Sequence, residues 1–261
     1  MIKISLMKGF CPLASGSKGN CLYIGTNQTK LLIDVGLSYK ATCERLNEIG
    51  VSIEDIDAVL ISHEHSDHMR GLERVSAKHS IPVFANSETA KALMGNLKVV
   101  PRFKIFSTGE TFEFGDIQIH PFSIQHDTFD PVAFTFQLLG LKVGVCTDLG
   151  FVTTLVTAHL RECDYLYVEA NHEPSMVYAC PRPPIYKQRV LGRQGHLSNE
   201  MCADLVKEVK HSKLRHVYLA HLSEECNNPE LALKKVGEHL EGEVGLSIAY
   251  QDKVSQKVLF D

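Results

Sequence analysis

The stretch Val59–Gly71, VLISHEHSDHMRG, sets an apolar strand directly before a loop rich in metal-binding side chains. Six of its positions, HEHSDH, hold His63, His65, Asp67 and His68. In a tight loop after a strand, alternate residues such as His63 and His65 can face one point, while Asp67 and His68 turn toward a second. Imidazole and carboxylate ligands suit zinc, manganese or iron, and two nearby ions can clamp a hydroxide between them. The loop therefore predicts a site for two divalent metals.

Two plainer interpretations of the same loop are a single structural zinc and a histidine cluster on the surface. A structural zinc usually has cysteine ligands and a closed coordination shell. No cysteine lies in this loop, so its ligand chemistry favours a metal site that takes part in a reaction.

Two metals need more ligands than one loop supplies, and the rest of the chain offers three. His126 in SIQHDTFDP, Asp148 in VGVCTDLG and His221 in VYLAHLSEE each follow an apolar strand directly. The two oxygens of Asp148 could bridge both metals, while His126 and His221 would complete one shell each. The predicted ligand set therefore has seven members: His63, His65, Asp67, His68, His126, Asp148 and His221.

Periodicity along the chain predicts strands followed by helices in each half. Apolar runs predict strands at Cys21–Gly25, Lys30–Asp34, Ala58–Ser62, Pro82–Ala85, Tyr165–Glu169 and His216–Ala220. Alternation of apolar and polar residues predicts antiparallel strands from Phe103 to Thr147. Helices are predicted at Tyr39–Gly50, Gly71–His79, after a cap at Ser87, at Ser198–Lys210 and at Pro229–Leu240. Two central sheets with helices outside, an αββα four-layer α/β sandwich, satisfy this order because each sheet must be covered on both faces.

Composition and length set outer limits on the protein. The 261 residues show no repeat and no low-complexity linker, so one domain over 1–261 is expected. Hydrophobic residues make up 44% of the chain, and the net charge of −4 argues against a polycation that coats nucleic acid. The eight cysteines form no CxxC pair, and the first residues, MIKISLMKGF, are too short for a signal peptide. A cytoplasmic protein without a membrane partner is therefore expected.

The motifs resemble those of the metallo-β-lactamase superfamily of dinuclear hydrolases. HxHxDH, the later histidines and the TD after a strand carry this resemblance, as does LLIDVG with Asp34. More narrowly, LASGSKGN, EANHE, GHLSN and AHLSEECNNPELA resemble the YycJ/WalJ/VicX family. The resemblance implies a metallo-β-lactamase fold, an Asp34 that orients the ligand loop without binding metal, and a DNA exonuclease that works 5′ to 3′, linked to repair.

Glu169 and His196 resemble the glutamate and histidine that enzymes of the tRNase Z type add near their metals. In this role a histidine, oriented by a carboxylate, protonates the leaving oxygen or holds the phosphoryl group. Asp67, besides binding metal, could orient the attacking water. Asp67, His196 and Glu169 are therefore predicted to take part in catalysis. The alternative for His196 is an ordinary residue at the start of a helix, ahead of Ser198.

Two further segments are candidates for substrate binding. PRPPIYKQRVLGRQGH has no acidic residue and ends at His196, so a phosphate backbone could lie along it. Its basic residues are Arg182, Lys187, Arg189 and Arg193, with Tyr178 and Tyr186 near them in sequence as weak candidates for base stacking. In LASGSKGN, backbone amides with Ser15 or Ser17 could meet an anion. The alternatives are a solvated loop for the first segment and a simple tight turn for the second.

The sequence thus predicts a metal-dependent phosphodiesterase or nuclease whose substrate is nucleic acid, with DNA favoured by the resemblance. A small-molecule hydrolase of the thioester or lactone type is the second hypothesis, since HxHxDH by itself does not name a substrate. A third hypothesis is a non-enzymatic accessory of a cell-wall two-component signalling system. The oligomeric state stays open, a homodimer included.

Overall fold

The computed structural model of the chain describes residues 7–240, 242 and 244–260. Residues 1–6 lie outside these ranges. They make up most of MIKISLMKGF, the segment for which no signal peptide is predicted. Among the helices described, none has both the length and the apolar character that a bilayer-spanning segment requires.

Strands and helices alternate along the described residues much as the periodicity predicts. The strands are β1 (Gly9–Ala14), β2 (Cys21–Gly25), β3 (Lys30–Ile33), β4 (Ala58–Leu60), β5 (Val83–Ala85), β6 (Phe103–Ile105), β7 (Phe112–Phe114), β8 (Ile117–Ser123), β9 (Val132–Leu138), β10 (Leu141–Cys146), β11 (Tyr165–Glu169), β12 (His216–Ala220), β13 (Gly245–Ile248) and β14 (Val258–Leu259). The helices are α1 (Tyr39–Glu48), α2 (Ser66–Met69), α3 (Leu72–His79), α4 (Ser87–Asn96), α5 (Thr154–Leu160), α6 (Pro174–Ala179), α7 (Pro184–Leu191), α8 (Asn199–Val209) and α9 (Pro229–Gly237). A short 3-10 turn, Ile53–Asp55, precedes β4.

The first sheet has the order β14-β1-β2-β3-β4-β5-β6. Its strands β3 to β6 run parallel, and β3 and β4 are buried along their whole length. Both were predicted from Leu-Leu-Ile and Val-Leu-Ile runs, which are typical of interior parallel strands covered on both faces. Because parallel strands end at the same edge of a sheet, Asp34 after β3 and the HEHSDH loop after β4 begin side by side.

The second sheet has the order β13-β12-β11-β10-β9-β8-β7. β9 and β10 form an antiparallel hairpin, while β10 to β13 run parallel. The parallel strands again end at one edge, which carries Asp148, Glu169 and His221. The fold therefore delivers three distant residues to one place by sheet topology alone.

The chain divides into two compact units, each with its own apolar core. One unit comprises the described residues through Gln118, together with Thr128–Asp130 and the residues from Tyr250 onward; the other comprises Ile119–Asp127 and Pro131–Ala249. In the first unit, α1, α3 and α4 contribute buried side chains to a core under β1 to β5, among them Leu46, Val75 and Leu93. In the second, α5, α8 and α9 do the same, among them Leu160 and Val206. Apolar burial of this kind is the main stabilising contribution in both units.

Three predictions about local structure were wrong or incomplete. Asn86, not Ser87, caps α4, since its side chain accepts a hydrogen bond from the Thr89 amide and Ser87 is the first helical residue. Asparagine and serine are equally good caps, so sequence could not choose between them. β6 lies in the first sheet, parallel to β5, and not in an antiparallel run. The basic segment, for which the alternative to a phosphate contact was a solvated loop, is helical over Pro184–Leu191, so Arg182 and Arg193 flank the helix α7.

All eight cysteines are described, and none forms a disulfide. Seven of the thiols are buried, and burial raises the pKa of Cys11 to about 12 and that of Cys163 to about 12. These two thiols are therefore protonated apolar side chains at neutral pH.

Candidate metal centre and active site

The HEHSDH loop gathers its ligand side chains closely within the first unit. The ring centroids of His63 and His65 lie 4.8 Å apart, and those of His63 and His68 lie 4.0 Å apart. His63 and His68 are buried, while His65 and Asp67 remain partly exposed. Asp67 and His68 fall in the single-turn helix α2, which begins at Ser66 and turns them away from the strand direction. The loop thus holds three imidazoles and one carboxylate as a compact donor set.

Asp34 holds this loop and is placed for that task by its backbone. It has a left-handed φ of 59°, which directs its carboxylate back toward the end of β4. Its Oδ1 accepts the Ser62 amide at 2.9 Å, and its Oδ2 accepts the Ser62 hydroxyl at 2.8 Å. Nδ1 of His68 lies 2.8 Å from the same Oδ2. Asp34 therefore acts on the loop without offering a free oxygen to a metal.

These hydrogen bonds fix which ring nitrogen of each histidine is left for a metal. Since a carboxylate oxygen only accepts, the proton of His68 lies on Nδ1 and its lone pair on Nε2. The single proton of the Ser62 hydroxyl goes to Asp34, so Nδ1 of His63, 3.0 Å away, donates to that hydroxyl. His63 therefore also presents Nε2. A second hydrogen-bonding group behind each ring is the usual arrangement for metal-binding histidines.

Asn20 is a further supporting residue, and sequence reasoning missed it. Its Nδ2 donates to Oδ2 of Asp67 at 3.2 Å and lies 3.0 Å from Nε2 of His68. Its Oδ1 accepts the Gly16 amide at 2.8 Å, so LASGSKGN folds back onto the ligand loop. Gly36 allows the same approach, because a Cβ there would lie 1.6 Å from the Asp67 carbonyl oxygen. The asparagine that closes the LASGSKGN motif was the signal for this role.

The two serines of LASGSKGN are placed differently. Ser15 is buried, and its amide donates to the Tyr250 carbonyl at 3.0 Å, as in an ordinary turn between strands. Ser17 is exposed. Of the two predicted anion-binding serines, only Ser17 is therefore accessible to a ligand.

In the second unit, three strand ends and the segment before α8 bring a second donor set together. Asp148 and His221 have left-handed φ values of 57° and 55°, so the chain turns sharply and leaves both side chains at the sheet edge. Oδ1 of Asp148 lies 3.4 Å from Nε2 of His221 and 3.8 Å from Nε2 of His126. Asp148, Glu169, His196 and His221 each offer one ligand atom within 4.8 Å of the others. Buried nitrogen and oxygen donors at this spacing, with no thiolate among them, fit a hard or borderline divalent cation.

Glu169 organises this set. Its Oε2 accepts the amides of Leu149 at 2.7 Å and Leu197 at 3.2 Å. Its Oε1 lies 2.7 Å from Nδ1 of His196 and 3.2 Å from Nδ1 of His221. Burial raises the pKa of this carboxyl, but the charge and hydrogen bonds of the two imidazoles outweigh burial and hold the pKa well below its usual range. Glu169 is thus a buried anion, and its contacts make it a positioning residue.

His196 is more exposed than His126 and His221, the two histidines beside it. Its side chain is 18% exposed, against 1% for His126 and 4% for His221. The proton on Nδ1 points to Glu169, so Nε2 is the nitrogen that can meet a substrate. Gly195, just before it, accepts from Nδ1 of His126 at 3.1 Å, which leaves Nε2 of His126 facing Asp148. His196 is consequently suited to proton transfer at the site.

The three motifs EANHE, GHLSN and HLSEECNNPE meet in one buried network of asparagines. Nδ2 of Asn171 donates to the His221 carbonyl at 2.7 Å and lies 3.2 Å from Nδ1 of the same residue. Nδ2 of Asn227 donates to the carbonyls of Ala170 and Asn171 at 2.8 and 2.9 Å. The amides of Asn199 and Asn227 bond each other. The asparagines of these motifs therefore support the segments that carry His196 and His221 and are not themselves among the proposed ligands.

The four basic side chains of the segment before His196 do not act alike. Arg182 pairs with Glu225, and Nζ of Lys187 donates to the Tyr178 carbonyl at 2.6 Å. Arg189 pairs with Asp127 at 2.6 Å, next to His126 in sequence, and Arg193 lies over the ring of Phe151 at 4.2 Å. A cavity of about 430 Å³ is lined by Asp127, Gln188, Arg189, Gly192, Arg193 and Gln194. Arg189 and Arg193 are thus the two cations that face a space beside the second donor set.

Comparison with known proteins identifies the family. The model of the beta-lactamase superfamily domain matches residues 29–222. The chain is 38% identical over 235 residues to the exodeoxyribonuclease YycJ of Bacillus anthracis, covering 89% of each chain. It is 36% identical over 245 residues to the exodeoxyribonuclease WalJ of Streptococcus pneumoniae, covering 92% of this chain and 91% of that protein. The metallo-β-lactamase fold protein YhfI of Bacillus subtilis superimposes with a TM-score of 0.72 at 16% identity, covering 94% of this chain and 97% of that one.

These matches confirm the expected fold class and the expected class of enzyme, a metal-dependent hydrolase. The second donor set, with its buried histidines and aspartate, agrees with a divalent metal in such a fold. The chain therefore belongs to the metallo-β-lactamase superfamily and, within it, to the family of the YycJ and WalJ exodeoxyribonucleases.

Proposed function

We propose that this protein is a metal-dependent DNA exonuclease that degrades strands from the 5′ end and serves DNA repair. The observation that carries the nuclease assignment is His196, partly exposed beside Asp148 and fixed at Nδ1 by the buried Glu169. A histidine held in this way can serve a departing ester oxygen, which phosphodiester cleavage requires. The similarity to two exodeoxyribonucleases supports DNA as the substrate and, through the family, the polarity.

We assign seven side chains to two divalent ions, zinc or manganese, with iron as a further option. They are His63, His65, Asp67, His68, His126, Asp148 and His221. When bound, such ions would neutralise charge on the phosphoryl group and lower the pKa of a water molecule to near neutrality. The hydrogen bonds behind His63, His126 and His221 leave Nε2 of each ring for this role, whereas Nε2 of His68 would exchange its contact with Nδ2 of Asn20 for a metal.

The chain's own residues supply the remaining steps. Asp67, whose carboxylate is held by Asn20, orients the water that adds to phosphorus. For this step His196 carries a second proton, on Nε2. As one P–O ester bond breaks, the departing oxygen takes that proton, and the proton that the attacking water loses restores the charged ring. The buried carboxylate of Glu169 keeps that ring in position throughout. The oxygen of the water thereby becomes part of a phosphate, and the other product is an alcohol.

Contact with the phosphate backbone is assigned chiefly to Arg189 and Arg193, since both line the cavity beside the second donor set. Arg182 and Lys187 contribute less, because neither side chain lines this cavity. Exposed Ser17 is a further candidate at the rim. A cytoplasmic location suits the eight unpaired thiols.

The test is a cleavage assay with the full-length chain, purified without chelator and supplied with Mn²⁺ or Zn²⁺. Duplex DNA, single-stranded DNA and RNA of one sequence are labelled at either end, and a thioester and a lactone are assayed beside them. We expect a 5′-labelled DNA strand to release its label at once as a short product, while a 3′-labelled strand shortens gradually. EDTA and His196→Ala should each suppress both reactions.

Three results would contradict parts of this proposal separately. Loss of label first from the 3′ end would reverse the polarity. If RNA is cleaved faster than DNA, the substrate is RNA and not DNA. Turnover of the thioester or lactone without cleavage of either nucleic acid would overturn the nuclease and establish a small-molecule hydrolase.

A further inference from the structure

Phe129 is exposed to an unusual degree for an aromatic side chain. In SIQHDTFDP it follows Thr128 and precedes Asp130, and 77% of it is accessible to solvent. Within the described residues, this is the highest exposure of any large apolar side chain. Exposure of an apolar ring to water is unfavourable in free energy. A ring held outside the core therefore usually marks a site that another molecule covers.

The backbone around this ring is fixed even though the ring itself is not covered. The Phe129 amide donates to Oε1 of Glu64 at 3.0 Å. Asp130 is held twice, since its carbonyl accepts from Nδ2 of Asn86 at 2.7 Å and its Oδ2 accepts from the Thr108 hydroxyl at 3.0 Å. These bonds hold the segment from both sides and present the ring in one place, which lowers the entropy lost when a partner binds.

The anchor of Phe129 lies within the metal-binding motif. Glu64 stands between His63 and His65 in HEHSDH, so the amide of Phe129 is bonded to the loop that carries these two ligands. Oε2 of Glu64 and the hydroxyl of Thr128 are buried, and neither has a hydrogen-bond partner among the described residues. Buried polar atoms without a partner are costly, so a ligand that offers hydrogen bonds next to the ring, as the polar edge of a nucleobase does, would lower that cost.

We propose that Phe129 is the platform on which a nucleobase of the substrate stacks, next to the phosphodiester that is cleaved. This inference rests on the proposed function, because it requires a nucleic-acid substrate. Stacking on an aromatic ring tolerates any base, since every base has a π-face, and so suits a nuclease without strong sequence preference. The residues beside Phe129 in sequence are polar, so the exposed apolar area is that of a single ring. An area of this size matches one nucleobase, whereas a protein partner would need a larger apolar patch.

The test removes the ring and the base in turn. DNA with natural terminal nucleotides is compared with DNA in which the nucleotide at the cleaved end is abasic, using the parent protein and Phe129→Ala. In the parent, loss of the base should lower kcat/KM by about tenfold. Phe129→Ala should show a similar loss with natural DNA and little further loss with abasic DNA, since the two changes remove one interaction.

Two other variants separate stacking from bulk and from folding. Phe129→Trp should keep activity, whereas Phe129→Leu should behave like the alanine variant, because leucine keeps apolar volume without a π-face. Leu259→Ala, an exposed apolar residue on the edge strand β14, is the matched control and should change nothing. Because Phe129 is exposed, all its variants should unfold at the parent's temperature.

A readout without turnover uses DNA with 2-aminopurine at the same position, bound in EDTA. Stacking quenches this fluorophore, so the parent and Phe129→Trp should quench it while Phe129→Ala should not. A contrary result would be that the parent cuts DNA and that the abasic end lowers kcat/KM by the same factor in Phe129→Ala as in the parent. The ring and the base would then act independently, so the stacking proposal would be overturned while the nuclease assignment stands. If the parent neither cuts nucleic acid nor quenches 2-aminopurine, both proposals are overturned.

Discussion

The two donor sets of this protein are built in opposite ways. In the first unit, four donors lie within six residues of one loop, and a single carboxylate, Asp34, supports them. In the second, the donors come from the ends of different strands between His126 and His221. The first set is local in sequence, whereas the second depends on parallel strands that end at one edge.

Despite this difference, the two sets share a backbone device. Asp34 follows β3, Asp148 follows β10 and His221 follows β12, and all three have left-handed φ values between 55° and 59°. Non-glycine residues in this region cost conformational energy and are found where a side chain must be aimed. The comparison shows that the strand ends, rather than the loop motif alone, carry the precision of the site.

The largest effect is expected from removing the central donor of the second set. Asp148→Ala should lose metal and at least about 10³-fold of the DNA cleavage rate, since metal assistance is worth several kcal/mol. Elemental analysis should find two ions per chain in the parent and fewer in the variant. Asp204→Ala, an exposed acid on α8, is the control and should keep both. One ion in fully active parent protein would refute the two-metal assignment.

His196→Ala tests whether the second set separates metal binding from proton transfer. Because His196 is the most exposed of its histidines and Nδ1 is committed to Glu169, the variant should keep its metal and lose about 10²–10⁴ in rate. The measurements are metal content and single-turnover cleavage. Loss of metal would instead make His196 a ligand, as its position within the four-residue donor group allows.

The supporting residues give a direct comparison of the two sets. Asp34→Asn disturbs Ser62 and His68, and through Ser62 also His63, so metal affinity should fall about 100-fold. Asn171→Ala disturbs His221 alone, and a fall of about 10-fold is expected. Titration with a competing chelator measures both. Glu44→Gln, an exposed change on α1, should leave the affinity unaltered. Equal losses in the two variants would mean that the second set is as tightly coupled as the loop.

The smallest effect concerns the basic segment. Changing Arg189 and Arg193 together to Ala should flatten the slope of log DNA affinity against log salt by about 1.4–1.8, from two lost phosphate contacts. Changing Arg182 and Lys187 should flatten it much less, because these two side chains do not line the cavity beside the second donor set. Binding curves at several salt concentrations decide between the pairs. If all variants have the same slope as the parent, the whole basic segment is solvated and contacts no phosphate.

Sequence predicted the elements whose signal is local. The Leu-Leu-Ile and Val-Leu-Ile runs predicted buried strands, and HEHSDH predicted a donor loop, since in both cases the evidence lies within a few adjacent residues. The supporting amides of Asn20, Asn171 and Asn227 could not be found in this way. A side-chain amide has no periodicity, and what it bonds is decided by residues far along the chain.

The basic segment shows another limit. Four cations before His196 predicted a uniform phosphate contact, but in the fold only Arg189 and Arg193 of the four line the cavity. Phe129 was missed for the opposite reason. A phenylalanine usually predicts a core position, and only its exposure in the fold reveals an exception.

The asparagine network also bears on how the protein folds. Asn227 bonds the carbonyls of Ala170 and Asn171 across 57 and 56 residues, and Asn199 across 28. Contacts of such long sequence separation form only after much chain entropy has been lost, so they belong to the late part of a folding reaction. Substitutions at Asn227 should therefore accelerate unfolding more than they slow refolding. A chain still emerging from the ribosome would have the HEHSDH loop long before it had a functioning second donor set.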